Sequence, residues 1–285
     1  MGRSKKTRRL SATDYVAKIA KWAVLIFFLF TTFVPLVWLL VGSLKTNLEL
    51  QTEPFSLPDV PQFSNYVEAV QISGLHRLFL NSFFVSGAST VVNLVVVSMA
   101  AYVFSRFVFK FQNALLNLIL AGVLVPIVAL MVPYFRIIMS MGLYDTLWAL
   151  VITYSGINIP ISLFLVHGFM KTIPRELEEA SIIDGCGFFQ RYARIVLPLS
   201  KLGLVTAGTF AFLFSWNEFI YALLLTASER SRTLQLGIRF FTSQFRTDYT
   251  SMYAAIIIAI IPMIVVYILL HERIIKGLTA GAVKG

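Results

Sequence analysis

Long uncharged stretches are the feature of this sequence that most limits how it can fold. Five runs without Asp, Glu, Lys or Arg each exceed the roughly 20 residues that a helix needs to cross about 30 Å of hydrocarbon. These runs are residues 22–44, 78–105, 111–135, 146–170 and 249–271. A sixth run, 202–225, qualifies if a single acid, Glu218, is tolerated inside it. The sequence therefore predicts six membrane spans.

Composition excludes a water-soluble body. Hydrophobic residues make up 58% of the chain and charged residues 13%, against about 45–50% and about 25% in ordinary globular proteins. The same numbers exclude a disordered chain, and a single cysteine excludes a disulfide scaffold. The runs do not alternate in polarity as barrel strands do, and a bilayer offers backbone groups no partners. The predicted fold is an all-α polytopic membrane protein.

The distribution of basic residues predicts the orientation. Seventeen of the 24 Lys and Arg residues lie in residues 1–21, 106–110, 171–201 and 272–285. Because cytoplasmic loops are enriched in these residues, both termini are predicted to be cytoplasmic and loop 45–76 extracytoplasmic. The same bias explains the net charge of +10 without a nucleic-acid partner. The first run is too long for a signal peptide, so it is predicted to stay as the first span in a bacterial or archaeal plasma membrane.

The predicted cytoplasmic loop 171–201 contains two short helical patterns. Glu176, Glu178 and Glu179 place negative charge near a helix start, and Asp184-Gly185 is a stop signal. An apolar stripe follows at spacings of four, three and four, formed by Phe188, Tyr192, Ile195 and Leu199. The sequence predicts that these two helices form a protruding shelf. Composition alone favours a simpler role for it, that of an amphipathic connector that rests on lipid headgroups.

The motifs in this loop resemble those of a known family. Glu179-Ala180-Ser181, then Gly185, then Ile195-Val196-Leu197-Pro198 resemble the EAA loop of ABC importer membrane subunits, with Ser181 and Cys186 where that family usually has Ala. Both departures are small residues. Further elements are similar to the smaller membrane subunit of maltose-type importers, the carbohydrate-uptake branch; they are Asn65-Tyr66, Asn81-Ser82, Trp216-Asn217-Glu218-Phe219 and the ending 277–285.

The resemblance implies a type I ABC importer permease and its partners. The first helix of the loop would dock into a groove on a cytoplasmic ATPase, and closure of two ATPase subunits would switch this chain and a second, homologous permease between inward- and outward-facing states. An extracytoplasmic solute-binding protein would deliver the sugar. No cofactor is expected on this chain, because it lacks a phosphate-binding loop; ATP and Mg are expected on the ATPase.

Roles for individual residues follow from the resemblance. The implied ATPase-coupling residues are Glu179, Ala180, Ser181, Asp184, Gly185, Leu197 and Pro198. The implied anchors of the shelf are Phe188, Phe189, Tyr192 and Ile195. The implied tail that reaches between the ATPase subunits, within 272–285, carries Gly277, Gly281 and Lys284.

Two further sets of residues are candidates with an open alternative. An acid inside a span costs roughly 2.5–3.5 kcal/mol, so Glu218 with Trp216 and Asn217 is a candidate sugar pathway, or else Glu218 makes a structural hydrogen bond to a neighbouring helix. Arg230, Arg232 and Arg239 are candidates for contact with a binding protein or an anionic sugar, although an ordinary solvated loop explains them as well. No metal-ligand spacing occurs.

The leading prediction is therefore a translocation subunit of an ATP-driven sugar importer. A permease of the same class for a non-sugar solute is the alternative. A secondary transporter is disfavoured, because the chain shows no inverted repeat and a single acid within its spans. An enzyme is disfavoured because no nucleophile and base set is recognisable.

Overall fold

Helices are the only regular elements in the part of the chain that the structure describes. The computed structural model describes residues 12–72, 74–239 and 248–282, and side chains for 15–71, 74–239 and 248–271. In chain order the α-helices are α1 (Ala12–Gly42), α2 (Asn47–Thr52), α3 (Ser64–Ile72), α4 (Leu75–Arg106), α5 (Gln112–Leu120), α6 (Met131–Ser140), α7 (Leu147–Ile157), α8 (Ile159–Met170), α9 (Glu176–Ile183), α10 (Phe188–Arg191), α11 (Leu197–Leu199), α12 (Lys201–Asn217), α13 (Ile220–Leu225), α14 (Leu234–Ile238) and α15 (Tyr249–Ala282). The predicted all-α fold is confirmed.

Three helices are long and apolar enough to cross a membrane on their own: α1, α4 and α15. Helix α1 begins ten residues before the predicted start at Trp22, because residues 12–21 contain neither Gly nor Pro to break it. Helix α15 continues past His271 to Ala282, so Gly277 and Gly281 of the predicted tail lie within this helix. Lys284 lies outside the described residues.

The other spans are bent. Residues 112–124 and 127–140 meet at 105°, α7 and α8 at 49°, and residues 188–199 and α12 at 75°. Counting each bent pair as one span gives six. Pro126 lies at the sharpest break, where its missing N–H removes a helix hydrogen bond.

The sixth run of the sequence, residues 202–225, is divided between two helices. Helix α12 ends at Asn217, and α13 starts at Ile220 as a separate element. Between them Glu218 has extended backbone angles, φ −70° and ψ 131°. The carboxylate of Glu218 accepts the first free N–H groups of α13, which starts a new helix instead of continuing the old one.

Helix α4 lies at the centre of the bundle, packed against α7, α8 and α12. Small polar side chains join the helices, because Ser89 bonds Ser215 at 3.0 Å and the amide of Asn93 donates to the carbonyl of Ser155 at 2.9 Å. A side chain at Gly208 would meet Leu94 of α4 at 2.9 Å. Close approach at small residues is the usual way that membrane helices pack.

Helix α1 lies at the edge of the molecule. It packs mainly against α15, and none of its most apolar 18-residue window is buried within the chain. Lipid or another chain therefore covers these apolar side chains in the membrane.

Loop 45–76 contains two short helices. Thr46 and Glu49 form a capping box that starts α2, and α3 follows after the proline-containing stretch 53–63. The ammonium of Lys45 is fully buried and donates to the carbonyl of Glu53 at 2.6 Å and to Ser56 at 3.0 Å. The loop is thus an ordered cap made of two helices and a pinned non-helical segment.

The shelf, residues 176–199, differs from the predicted pattern in its second half. Residues 192–196 form a π turn, which takes more residues per turn than an α-helix. The buried positions are therefore Tyr192, Val196 and Ser200, spaced by four. The predicted stripe through Ile195 and Leu199 is wrong, since Leu199 is exposed and Ile195 is half-buried.

Candidate functional site

Two neighbouring glutamates on α9 differ sharply in burial. The side chain of Glu178 is 6% exposed, whereas Glu179 is exposed. Adjacent helical positions differ by about 100° around the axis, so one side of α9 is held against the bundle and the other is open to a partner. The sequence predicted a role for Glu179 and none beyond the helix dipole for Glu178.

The carboxylate of Glu178 forms an ion pair with the guanidinium of Arg106, the last residue of α4. The hydroxyl of Tyr102 donates to the same carboxylate at 3.1 Å, and the guanidinium donates to the carbonyl of Ile173 at 3.1 Å. Buried charges are tolerated when they are paired and hydrogen-bonded in this way. Arg106 therefore joins α4, α9 and the turn that precedes α9.

Aromatic rings surround this pair. Tyr192 is buried, and its hydroxyl lies 2.8 Å from that of Ser98 on α4. The ring of Phe188 contacts Tyr102 and Phe107 at centroid distances of 5.4 and 5.3 Å. Phe188 and Phe189 are both exposed, at 49% and 66%, and the ring of Phe189 reaches only Tyr192 among the described aromatic rings, at 6.0 Å.

The remaining coupling candidates divide between an exposed and a buried side. Ala180 and Asp184 are exposed, whereas Ser181 is buried and its hydroxyl donates to the carbonyl of Glu178 at 2.6 Å. Helix α9 ends at Ile183 and Gly185 has φ +82°, so the predicted stop signal is confirmed. This left-handed conformation favours glycine.

Leu197 and Pro198 lie where the shelf joins α12. Both line an apolar groove of about 530 Å³, together with residues of α4, α12 and α15. Leu197 also packs against the bundle core, and Pro198 is exposed. The two residues thus form the corner between the shelf and the fifth span.

The predicted trio in the fifth span does not converge. Trp216 is 1% exposed, and its indole N–H donates to the carbonyl of Ala259 on α15 at 3.2 Å. The amide of Asn217 is exposed and donates to the carbonyl of Leu213 at 2.8 Å. Glu218 turns toward α7 and α13 instead. The break after Asn217 separates the three directions, so the structure does not bring these three side chains together.

Glu218 acts as a helix cap. Its carboxylate accepts from the N–H groups of Tyr221 and Ala222 at 2.9 and 3.1 Å, and from the hydroxyl of Tyr154 at 2.6 Å. A carboxylate offers about four acceptor positions, so most of its capacity is used inside the chain. The predicted alternative, a structural hydrogen bond to a neighbouring helix, is confirmed by the bond to Tyr154.

The breaks in three spans lie against one another. The hydroxyl of Tyr221, just after the break in the fifth span, donates at 2.8 Å to the carbonyl of Ile127, just after the break in the third. A side chain at Gly122 would meet Pro160, near the break in the fourth, at 2.9 Å. Sequence analysis missed Tyr154 and Tyr221, whose partners lie about 60 and 90 residues away along the chain.

At the opposite end of the bundle from the shelf, loop 226–239 is fixed by its backbone. The amide of Asn81 on α4 donates to the carbonyls of Arg230 and Arg232, each at 2.8 Å. The hydroxyl of Ser82 accepts the N–H of Leu234 at 2.8 Å. In the sequence, Asn81-Ser82 was noted only as part of the resemblance. In the structure, these two side chains hold the backbone of loop 226–239.

Asp145, which precedes α7, fixes the same loop from the other side. Its carboxylate accepts from the N–H groups of Ala227 and Ser228 at 2.7 and 2.9 Å and from the hydroxyl of Ser231. Desolvation raises the pKa of Asp145, but these hydrogen bonds outweigh it and hold the pKa well below its usual value.

The loop arginines differ in exposure. Arg230 and Arg239 are exposed, while the guanidinium of Arg232 donates to the carbonyl of Ala227 at 3.0 Å. Within 15–71, 74–239 and 248–271, where side chains are described, no group of three or more His, Cys, Asp or Glu residues is placed to hold a metal ion.

Comparison with known proteins places this architecture in a family. The family model described as "Binding-protein-dependent transport system inner membrane component" matches residues 94–279. A putative ABC transporter permease of Caldicellulosiruptor is 37% identical over 95% of this chain and 100% of its own length. The sulfoquinovosyl glycerol transport system permease SmoH of Agrobacterium fabrum is 35% identical over 88% of each chain.

The fold is also similar to that of a solved structure. A crystal structure of a bacterial ABC transporter involved in the import of the acidic polysaccharide alginate matches with a TM-score of 0.84, at 21% identity, over 93% of this chain and 99% of that one. The matched region 94–279 includes the shelf and the spans that hold it. This chain belongs to the family of binding-protein-dependent transport system inner membrane components.

Proposed function

We propose that this chain is the translocation subunit of an ATP-driven importer for a sugar or oligosaccharide. Family membership supports transport as its activity, and the names of related permeases support a carbohydrate substrate, since one is a sulfoquinovosyl glycerol permease. The shelf supports a role in coupling, because α9 is held against the bundle on one side and exposed on the other. The proposal assigns ATP and Mg to partner ATPase subunits rather than to this chain.

The observation that carries the proposal is the exposed side of α9 beside its buried side. Glu179 and Ala180 are open to a partner, while Glu178 and Ser181 hold the helix against the bundle. A helix fixed on one side and bare on the other transmits a push from its partner without rolling. We place a cytoplasmic ATPase against the bare side, with Glu179 as its docking acid.

The partners of the complex are assigned to the two ends. A pair of ATPase subunits would bind at the shelf end, which the bias of Lys and Arg makes cytoplasmic. A second, homologous permease would complete the pathway. An extracytoplasmic binding protein would bind at the other end, where Arg230 and Arg239 are exposed on loop 226–239.

We place sugar contact in the fifth span on the exposed amide of Asn217. Amides suit sugar hydroxyls because they donate and accept hydrogen bonds. Trp216 is enclosed by Phe79, Phe212 and α15 and is not part of this assignment. Glu218 contributes to the pathway by capping the helix that follows the break. Its remaining acceptor position is assigned to a sugar hydroxyl.

The docking role is tested by charge reversal. Glu179→Lys should leave the chain in the membrane but reduce co-purification of the ATPase by tenfold or more, because a lysine replaces the docking acid. The matched control is Glu229→Lys, an equal charge change at an exposed glutamate on loop 226–239, which should retain the ATPase. Wild-type ATPase yield with Glu179→Lys would exclude Glu179 as the docking acid.

A further inference from the structure

One face of α4 carries three contacts to the shelf at intervals of four residues. Ser98 bonds the hydroxyl of Tyr192, Tyr102 donates to Glu178, and Arg106 pairs with Glu178. Residues four apart lie on one face of a helix. The shelf is therefore attached along two turns of α4 and not at a single point.

The other end of the same helix holds loop 226–239. Asn81 donates to two carbonyls of that loop, and Ser82 accepts one of its N–H groups. From Asn81 to Arg106 the helix is continuous and contains no proline, whereas the third and fourth spans are each divided into two segments that meet at an angle and the fifth is divided between α12 and α13. At 1.5 Å per residue, Asn81 and Arg106 lie about 37 Å apart.

The chemistry of the two attachments suits force transmission. Arg106 and Glu178 form a buried ion pair, and removing one partner of such a pair is strongly unfavourable because it leaves an uncompensated buried charge. Asn81 donates hydrogen bonds to the backbone of the loop, so it fixes the position of the loop independently of the side chains that the loop carries. Both attachments resist sliding of α4 relative to the element that it holds.

We propose that α4 is a rigid rod that couples the shelf to loop 226–239, with Arg106–Glu178 and Asn81 as its two joints. This proposal rests on the proposed function. The ATPase moves α9, the ion pair passes the movement to α4, and α4 shifts the loop on which the binding protein sits. Arg106, Glu178 and Asn81 are positioning residues that touch neither ATP nor sugar.

The test uses the complete transporter in lipid vesicles, with ATPase association and binding-protein-stimulated ATP hydrolysis measured separately. Glu178→Gln and Asn81→Ala should each retain ATPase association and lower the stimulation by tenfold or more. The control Glu176→Gln neutralises an exposed glutamate on the same helix and should leave stimulation unchanged. The reversed pair Arg106→Glu with Glu178→Arg should recover part of the stimulation.

The decisive variant combines the two joints. Because either break already disconnects the rod, Glu178→Gln with Asn81→Ala should be no worse than the more impaired single variant. Losses that multiply, or single variants with normal stimulation, would overturn the rod. If instead the wild-type chain binds no ATPase at all, it is the proposed function that fails. The reversed pair also keeps the test valid if a single variant folds poorly.

Discussion

The shelf and loop 226–239 are held by the same helix through different chemistry. At the shelf, a side chain meets a side chain, because Arg106 pairs with Glu178. At the loop, side chains meet backbone, because Asn81 and Ser82 of α4 bond carbonyl and N–H groups of the loop. The shelf joint therefore depends on two specific residues, whereas the loop can change its side chains and keep its shape. That difference suits a lever at one end and an adaptable docking platform at the other.

The largest expected effect comes from breaking the side-chain joint. Glu178→Lys places a second cation beside Arg106 in a buried site, and loss of a buried pair costs about 3–5 kcal/mol. The Tm of the purified chain in detergent should fall by several degrees. Glu179→Lys, the same change one residue further on, lies at an exposed position and should leave the Tm within about 1 °C. Equal Tm values for the two variants would contradict the assignment of buried and exposed sides.

A smaller effect is expected at Glu218, which holds backbone N–H groups inside the membrane as Asp145 does outside it. Glu218→Ala removes a helix cap, at about 0.5–2 kcal/mol, and leaves the Tyr154 hydroxyl without its acceptor, at about 1–3 kcal/mol. Both the Tm and uptake should fall. Asn217→Ala should lower uptake alone, because its side chain is exposed. A normal Tm with Glu218→Ala would show that the cap does not stabilise the break.

The smallest effect is local and concerns the loop joint. Asp145→Asn should raise hydrogen exchange at the amides of Ala227 and Ser228 by about tenfold, since bonds to a charged acceptor are worth about 1.5–3 kcal/mol. Because the folded pKa of Asp145 is lowered, its contribution is complete above the unfolded pKa of about 3.9 and is lost only as pH falls toward the lower folded pKa. Protection of these amides in the wild type should therefore be constant between pH 5 and pH 8. Loss of protection near pH 5 would contradict the lowered pKa.

Local signals in the sequence predicted much of this fold. Uncharged runs located the membrane-crossing segments, and Asp184-Gly185 located the end of α9. Both signals act within one helix or one turn, so neighbouring residues suffice to recognise them. The helix start and stop signals in loop 171–201 likewise predicted the shelf.

What the sequence missed depends on distant partners or unusual local geometry. Glu178 and Glu179 look alike in the sequence, and only Arg106, 72 residues earlier, distinguishes the buried acid from the exposed one. Because residues 192–196 form a π turn, the residues that are buried differ from those that an α-helical pattern predicts. The hydrogen bonds between Glu218 and the start of α13 were missed because Glu218 lies one residue before the N-cap, Phe219, and glutamate is not among the usual capping residues.

The most direct test of the central claim is cross-linking from the two sides of α9 in the assembled complex. In a chain carrying Cys186→Ser, Ala180→Cys lies on the exposed side and Ser181→Cys on the buried side. A short bifunctional maleimide with cysteines in the ATPase groove should link Ala180→Cys to the ATPase and leave Ser181→Cys unlinked. An ATPase that cross-links to neither position, or to both equally, would contradict the account of α9 as a lever held on one side and pushed on the other.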